Sequence, residues 1–265
     1  MCTATDVENG NNGPVALSNM ANVHTSSHPV LRHKITILRS SETTSPGQFR
    51  SVLREVTYHL GYEATSTLHT KNVDITVPKI TNSTLAADAV ESYAHGDQLT
   101  DRVALIPILR SGLGMAESML ELLPNASVHH IGMYKNKVTG MPVQYYNRLP
   151  RKCLADVAYV LDPIIATSNT ITSVVGILKK WGVPKIHVVS VIASQDGVQK
   201  LMEAHPDIHL TSGTVDERLS EDGSCFPGMG DMGDRLFNSL PAEDEDEEAL
   251  VHPSKRKRTM SEAEP

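Results

Sequence analysis

The stretch from Asp156 to Gly182, DVAYVLDPIIATSNTITSVVGILKKWG, constrains the fold more than any other part of the chain. Val157 to Leu161 is an unbroken apolar run of strand-forming residues, the pattern of a strand covered on both faces. Ile171, Val174, Val175 and Leu178 then recur at helical spacing, and Gly182 follows as a stop. Between the two lie Ala166, Thr167, Ser168, Asn169 and Thr170. A strand that turns through hydroxyl residues into a helix brings backbone N–H groups and the positive end of a helix dipole to one point, which suits a phosphate. The same residues suit an ordinary N-cap, because Ser, Thr and Asn are the commonest caps. On this stretch alone both readings stand.

A second unit of the same kind runs from Arg102 to Pro124. Val103 to Leu109 reads as a buried strand, Arg110-Ser111-Gly112 as a tight turn and Met115 to Leu123 as a helix. An arginine in that turn sits at the carboxyl edge of a parallel sheet, where open α/β folds bind ligands, although a surface ion pair is the commoner fate of an arginine. Strands are also expected at Ser127 to Tyr134, Lys185 to Ala193 and Ile208 to Val215, with a helix at Gly197 to Ala204. Alternating strands and helices imply an α/β fold, a mostly parallel sheet flanked by helices with right-handed crossovers.

Earlier in the chain, Ile35, Ile37 and Leu38 predict a short strand after His28-Pro29. Ser45-Pro46 opens a helix whose apolar face is Phe49, Val52, Leu53, Val56 and Leu60. Val73, Ile75 and Val77 alternate as in a half-buried strand. Lys135 to Pro150 is too long and too polar for a plain connector and reads as a hairpin or flap. Gly223, Gly228, Gly230 and Gly233 with Pro227 let the backbone turn closely around something small, with Asp231 and Asp234 in that loop; taken alone, the stretch reads equally as a glycine-rich surface loop with two solvated carboxylates.

Charge narrows the function classes only after it is divided. Residues 241–265 hold eight acidic and four basic side chains, so of the net −7 the tail contributes −4 and the remainder −3. No basic footprint of a nucleic-acid binder results. No run of about 18 or more apolar residues is present, and the polar N-terminus lacks the layout of a signal peptide, so an intracellular protein with no membrane partner is expected. Cys2, Cys153 and Cys225 lie far apart, which indicates neither a disulfide framework nor a zinc site. His129 and His130, side by side in an expected strand, would face opposite ways, a poor geometry for a shared metal. Residues 1–27 are expected to form a disordered leader, 28–240 one domain, and 241–265 a disordered charged tail. Within the tail, Lys255 to Arg258 is a short candidate nuclear import signal.

Taken together, five segments in order resemble the uracil phosphoribosyltransferase family, from about His28 to Leu240. HPVLRHKITILR is similar to its opening strand, PILRSGLGM to its PILRAGLGM segment and GMYKNKVTGMPVQYYNRLP to its flexible hairpin. VLDPIIATSNT is similar to its phosphoribosyl diphosphate loop, and FPGMGDMGDR to its carboxy-terminal uracil loop. The resemblance implies a phosphoribosyltransferase-like α/β fold with a hairpin flap and a C-terminal nucleobase loop. It also implies formation of uridine monophosphate and diphosphate from uracil and phosphoribosyl diphosphate.

Site residues follow from the same resemblance. Asp162, Pro163, Ile164, Ile165, Ala166, Thr167, Ser168, Asn169 and Thr170 would wrap the ribose and its 5′-phosphate. Asp162 would face the ribose hydroxyls, and Arg110 and Lys135 the diphosphate. Backbone at Cys225 and at Gly230, Asp231 and Met232 would read the edge of uracil, whose C=O and N–H groups alternate. Asp231 would also serve the diphosphate or its Mg²⁺, so the catalytic set is Arg110, Lys135 and Asp231, with no metal held by protein side chains alone. GTP as an activator, a homodimer or homotetramer and a cytoplasmic location are further implications.

Two departures stand out. The family's phosphate turn usually reads Ala-Thr-Gly-Gly, where this chain has Ala166-Thr167-Ser168-Asn169, and Lys135 stands where arginine is common. A serine at a positive φ is strained, unless its hydroxyl turns to the phosphate and replaces what the glycine gave. These departures support an alternative, a catalytically weakened relative acting as a ligand sensor or interaction module, and a backbone-read pocket leaves a different pyrimidine as a third option.

Overall fold

The computed structural model describes residues 20–40, 45–78, 91–136 and 139–239. The expected tail and the basic run Lys255 to Arg258 lie outside these residues, as do residues 1–19 of the expected leader.

The chain opens with β1 (Val23–Thr25), α1 (Pro29–Arg39) and α2 (Pro46–Thr65). Two expectations are corrected here. Val23–Thr25 pair in parallel with residues 210–212, so the fold reaches into the stretch expected as leader; three residues at a sheet edge are too short to show a period in sequence. The segment HPVLRHKITILR, expected as a strand, is α1. The His28 ring nitrogen accepts the Val30 N–H, Pro29 sits at the first turn, and Leu31, Ile35 and Leu38 are buried along one stripe at helical spacing. Burial of that stripe outweighs the strand propensity of Ile35, Thr36 and Ile37. Helix α2 follows the sequence closely, with the Ser45 hydroxyl accepting the Gln48 N–H at 3.2 Å.

β2 (Thr70–Pro78) and β3 (Glu91–Leu99) form a separate antiparallel ribbon; Val73 and Val77 are half-buried as expected, while Ile75 is exposed, as are Tyr93 and Leu99. Then come β4 (Val103–Leu109), α3 (Leu113–Leu122), β5 (Ser127–Val128), β6 (Ile131–Lys135) and β7 (Pro142–Asn147). The strand expected at 127–134 breaks at His129 and His130, where the His129 ring packs edge-on against Trp181. β6 and β7 pair antiparallel and make the expected flap hairpin. β8 (Val157–Leu161), β9 (Ile164–Ile165), α4 (Asn169–Trp181), β10 (Lys185–Ser194), α5 (Gln195–Ala204) and β11 (His209–Asp216) complete the core. The chain closes with a small hairpin, β12 (Arg218–Leu219) and β13 (Cys225–Phe226), and α6 (Met232–Phe237).

Strand order in the main sheet is β1-β11-β10-β8-β4-β6-β7, parallel except for β6 with β7. β4 and β8 lie at its centre, with Leu105 opposite Tyr159 and Pro107 opposite Leu161. Their side chains alternate between two apolar layers. Leu105, Tyr159 and Leu161 pack with α1, α2 and α3 residues such as Leu53 and Met119, while Ile106, Ala158 and Val160 pack with Ile171, Val174 and Leu178 of α4. Cover on both faces explains why β4 and β8 read as unbroken apolar runs, and each fully buried Leu or Ile contributes about 1.5–3 kcal/mol.

Candidate active site

Because β4 and β8 are parallel neighbours, the loops that leave their carboxyl ends emerge side by side. Arg110 and Ser111 follow β4, and Asp162 follows β8. Gly112 makes the first turn fit, since a Cβ there would lie 2.3 Å from the Leu161 carbonyl oxygen. A cavity of about 890 Å³ opens between these loops and is bounded on its far side by residues 225–233. Arg110, Lys135, Asp162, Ile164 to Thr170, Cys225 and Gly230 to Met232 all line it.

Pro163 is the exception among the expected site residues. Its carbonyl accepts the Val191 and Ile192 N–H groups at 3.1 and 3.0 Å, so it ties the loop to β10 rather than facing the cavity. Just beyond it, Ile164 and Ile165 form the short β9 against Ile192 and Ala193.

Of the two side chains that replace glycines in the turn, only Ser168 takes a left-handed conformation, at φ 66°. That costs a non-glycine residue roughly 1–2 kcal/mol. Its hydroxyl does not turn toward the cavity as a phosphate ligand; it donates to the Gly197 carbonyl at 2.7 Å. Asn169 is already the first residue of α4 and needs no special conformation. No side chain caps α4, so its first amides keep their donor capacity at the cavity, where the helix dipole favours an anion.

Charge at the site is mixed. Asp162 is buried, and desolvation pushes its carboxyl up to about 7, opposed by the Ile164 backbone N–H and the Ser111 hydroxyl. The Arg110 guanidinium reaches across to the far wall and pairs with Asp234 at 3.2 Å. Lys135 comes from the end of β6 at the root of the flap.

The far wall presents backbone. Asp216 accepts the Gly228 N–H at 2.9 Å, and Arg39, paired with Asp216, donates to the Gly228 carbonyl at 2.8 Å. Arg235 donates to the carbonyls of Met229 and Ser40, each at 2.7 Å. Burial raises the Cys225 thiol to about 11, and it lies 3.5 Å from the Ile165 carbonyl, so it is an inert wall rather than a nucleophile. Asp231 caps α6 by accepting the Asp234 N–H at 2.9 Å.

Sequence reasoning missed several contributors. Arg39 and Asp216 lie 177 positions apart, and no local pattern joins them. Asp222 also lines the cavity, its carboxylate held below the usual range by hydrogen bonds from the Ser220 hydroxyl and from Ser224. The spacing Ser220, Asp222, Ser224 is a turn signal that was open to notice.

The sequence model of uracil phosphoribosyltransferase matches residues 25–239. The chain belongs to the uracil phosphoribosyltransferase family. A protein of that name from Roseiflexus sp. (strain RS-1) is 41% identical over 220 residues, 83% of this chain and 100% of the relative. Another from Streptococcus pyogenes serotype M1 is 40% identical over 213 residues, 80% of this chain and 96% of the relative. A solved structure from Aquifex aeolicus superposes with a TM-score of 0.71 at 30% identity, covering 81% of this chain and 97% of that one. Against this uracil phosphoribosyltransferase background, the Ser168-Asn169 departure leaves a loop whose α4 amides still border the cavity.

Proposed function

We propose that the protein is a uracil phosphoribosyltransferase that transfers the phosphoribosyl group of 5-phosphoribosyl 1-diphosphate to uracil. The bond from the anomeric carbon to the diphosphate oxygen breaks, uracil N1 bonds to that carbon and loses its proton, and uridine monophosphate and diphosphate are the products. One observation carries the reading. A phosphate-type loop from β8, a guanidinium from β4 and a backbone-presenting loop converge on a single cavity.

The roles are those the family resemblance implies, and the placement of these residues around one cavity supports them. The α4 start and Thr167 receive the 5′-phosphate, and Asp162 faces the ribose hydroxyls. Arg110 and Lys135 stabilise the charge that develops on the leaving diphosphate, each worth up to a few kcal/mol in a closed site. Arg110 must exchange its Asp234 partner for the diphosphate to do so. Backbone at Cys225 and at Gly230 to Met232 reads the edge of uracil. The 135–150 hairpin closes over the site and excludes water.

Among the described residues no cluster of three or more His, Cys, Asp or Glu side chains is built to hold a metal. The cavity is lined by the carboxylates of Asp222 and Asp231, the latter the one the resemblance assigns to Mg²⁺, and such a lining fits an ion arriving as its diphosphate complex, since Mg²⁺ commonly takes one or two carboxylates plus substrate phosphates. The ion would neutralise charge on the diphosphate.

GTP activation and a cytoplasmic location belong to the same reading; among the described residues no helix is long and apolar enough to cross a membrane. Nuclear import through Lys255 to Arg258 is not carried forward. A homo-oligomer is favoured by the β2–β3 ribbon, because a lone two-stranded ribbon with exposed Ile75, Tyr93 and Leu99 is marginal in water. The catalytically weakened alternative is disfavoured by the likeness to named uracil phosphoribosyltransferases, 41% and 40% identical over most of this chain. The deciding experiment mixes purified protein, uracil, phosphoribosyl diphosphate and Mg²⁺ and measures uridine monophosphate by chromatography. Turnover supports the reading, and none at high concentration of folded protein overturns it.

A further inference from the structure

The phosphate loop is fastened to the start of α5 by two buried hydroxyls. Ser194, the N-cap of α5, accepts the Gly197 N–H at 2.8 Å and donates its own proton to the Ala166 carbonyl at 2.7 Å. Ser168 donates to the Gly197 carbonyl at 2.7 Å. Both serines are almost fully buried, at 0% and 5% exposure. The two backbones touch, for a Cβ added at Gly197 would lie 2.2 Å from the Ala166 carbonyl oxygen. Two groups at the start of α5, the Ser194 hydroxyl and the Gly197 carbonyl, thus grip the loop on either side of Thr167.

We propose that Ser168 and Ser194 are positioning residues, a clasp that sets the phosphate loop in its anion-receiving shape before substrate arrives. The inference rests on reading this cavity as a phosphoribosyl diphosphate site. Ser168 stands in a left-handed conformation that favours glycine, so some interaction must offset that strain. The bond to Gly197 is the interaction present, and a glycine could not make it. With Ala166 and Ser168 both fixed, Thr167 and the first α4 amides between and beyond them lose their freedom. A loop ordered in advance costs less to bind than one ordered by its ligand. The gain applies to substrate and transition state alike, so it belongs in KM for phosphoribosyl diphosphate and not in kcat.

The test uses the full chain as Ser168→Ala, Ser168→Gly, Ser194→Ala and, as a control, Ser212→Ala. Ser212 is also buried and donates to a backbone carbonyl, that of Thr214 at 2.8 Å, but on β11. Amide hydrogen exchange without substrate is read on peptides covering 163–171, and steady-state kinetics are run with each substrate varied. Exchange in the loop is expected to quicken in the Ser168 and Ser194 variants and not in the control. KM for phosphoribosyl diphosphate should rise about two- to tenfold, the range of one net hydrogen bond, with kcat and KM for uracil within twofold. Ser168→Gly, which accepts the left-handed turn, keeps the test valid should Ser168→Ala fold poorly. Unchanged loop exchange in both Ser168→Gly and Ser194→Ala, or an equal response in Ser212→Ala, overturns the clasp. Should the unaltered protein make no uridine monophosphate, the functional reading fails, while the exchange data still decide the clasp.

Discussion

The two loops that face each other across the cavity are held in opposite ways. The phosphate loop lies between β8 and α4, which are contiguous in sequence, and its outside supports, Ser194 and Gly197, are 28 and 29 positions away. The nucleobase loop is gripped by the end of α1, with Arg39 lying 189 positions from Gly228 and Arg235 reaching back 197 positions to Leu38. A loop whose supports lie within one β8-α4-β10-α5 unit can be loosened without loosening the fold. One held by an ion pair between a buried carboxylate and a half-buried guanidinium on distant elements cannot, and its shape and the stability of the domain are one quantity.

Asp216→Ala should show that difference most strongly. It leaves the Gly228 N–H and the half-buried Arg39 guanidinium without their buried carboxylate; the loss of one partner from a fully buried pair, about 3–5 kcal/mol, is the upper bound. Urea denaturation should report a lowered midpoint together with an impaired response to uracil; a midpoint matching that of the unaltered protein would remove the contrast between the loops.

A pH titration addresses the phosphate loop. Asp162 has its carboxyl raised from 3.8 to about 7 by burial, so between those values the folded state holds a proton that the unfolded state has released. Its contribution to stability is therefore intact below about pH 4 and is lost as pH rises toward 7, by at most about 4 kcal/mol at 1.36 kcal/mol per unit. Asp162→Asn, which cannot ionise, should flatten that slope. Equal slopes in denaturation curves at pH 5, 6, 7 and 8 would show that the group is solvated.

Arg110 belongs to both sides, since it leaves β4 beside the phosphate loop and pairs with Asp234 of α6. Arg110→Ala is expected to lower kcat/KM by about 10²–10³ with little change in melting temperature, as removal of a charge-stabilising donor does. A loss under threefold would take Arg110 out of the chemistry. The smallest effect is expected for Lys135→Arg. A planar fork replaces a point charge, and KM for phosphoribosyl diphosphate should fall by no more than about threefold, about one net hydrogen bond or less. A rise would mean that the ammonium at the flap root fits where the larger group does not.

Much of the site was legible because it is local. Unbroken apolar runs located β4 and β8, and the turn residues after each placed Arg110 and Asp162 at the same edge of a parallel sheet. Where local propensity and tertiary burial disagreed, the reading failed. Ile35, Thr36 and Ile37 favour a strand, yet α1 wins by burying Leu31, Ile35 and Leu38 together. Pro163 looked like part of the cradle, but its carbonyl is consumed by β10. Ser168 looked like a substitute phosphate ligand, but its hydroxyl has a nearer acceptor in α5.

By itself the sequence determined the α/β architecture through apolar patterning within strand-turn-helix units, and its motifs carried the family resemblance that implied Arg110, Lys135, Asp162 and the 225–232 loop as cavity lining. Only the tertiary structure decided where polar side chains spend their hydrogen bonds. Those choices depend on which buried partner comes within about 3 Å, and Arg39, Asp216, Ser168 and Ser194 meet theirs only once the sheet has brought distant segments together.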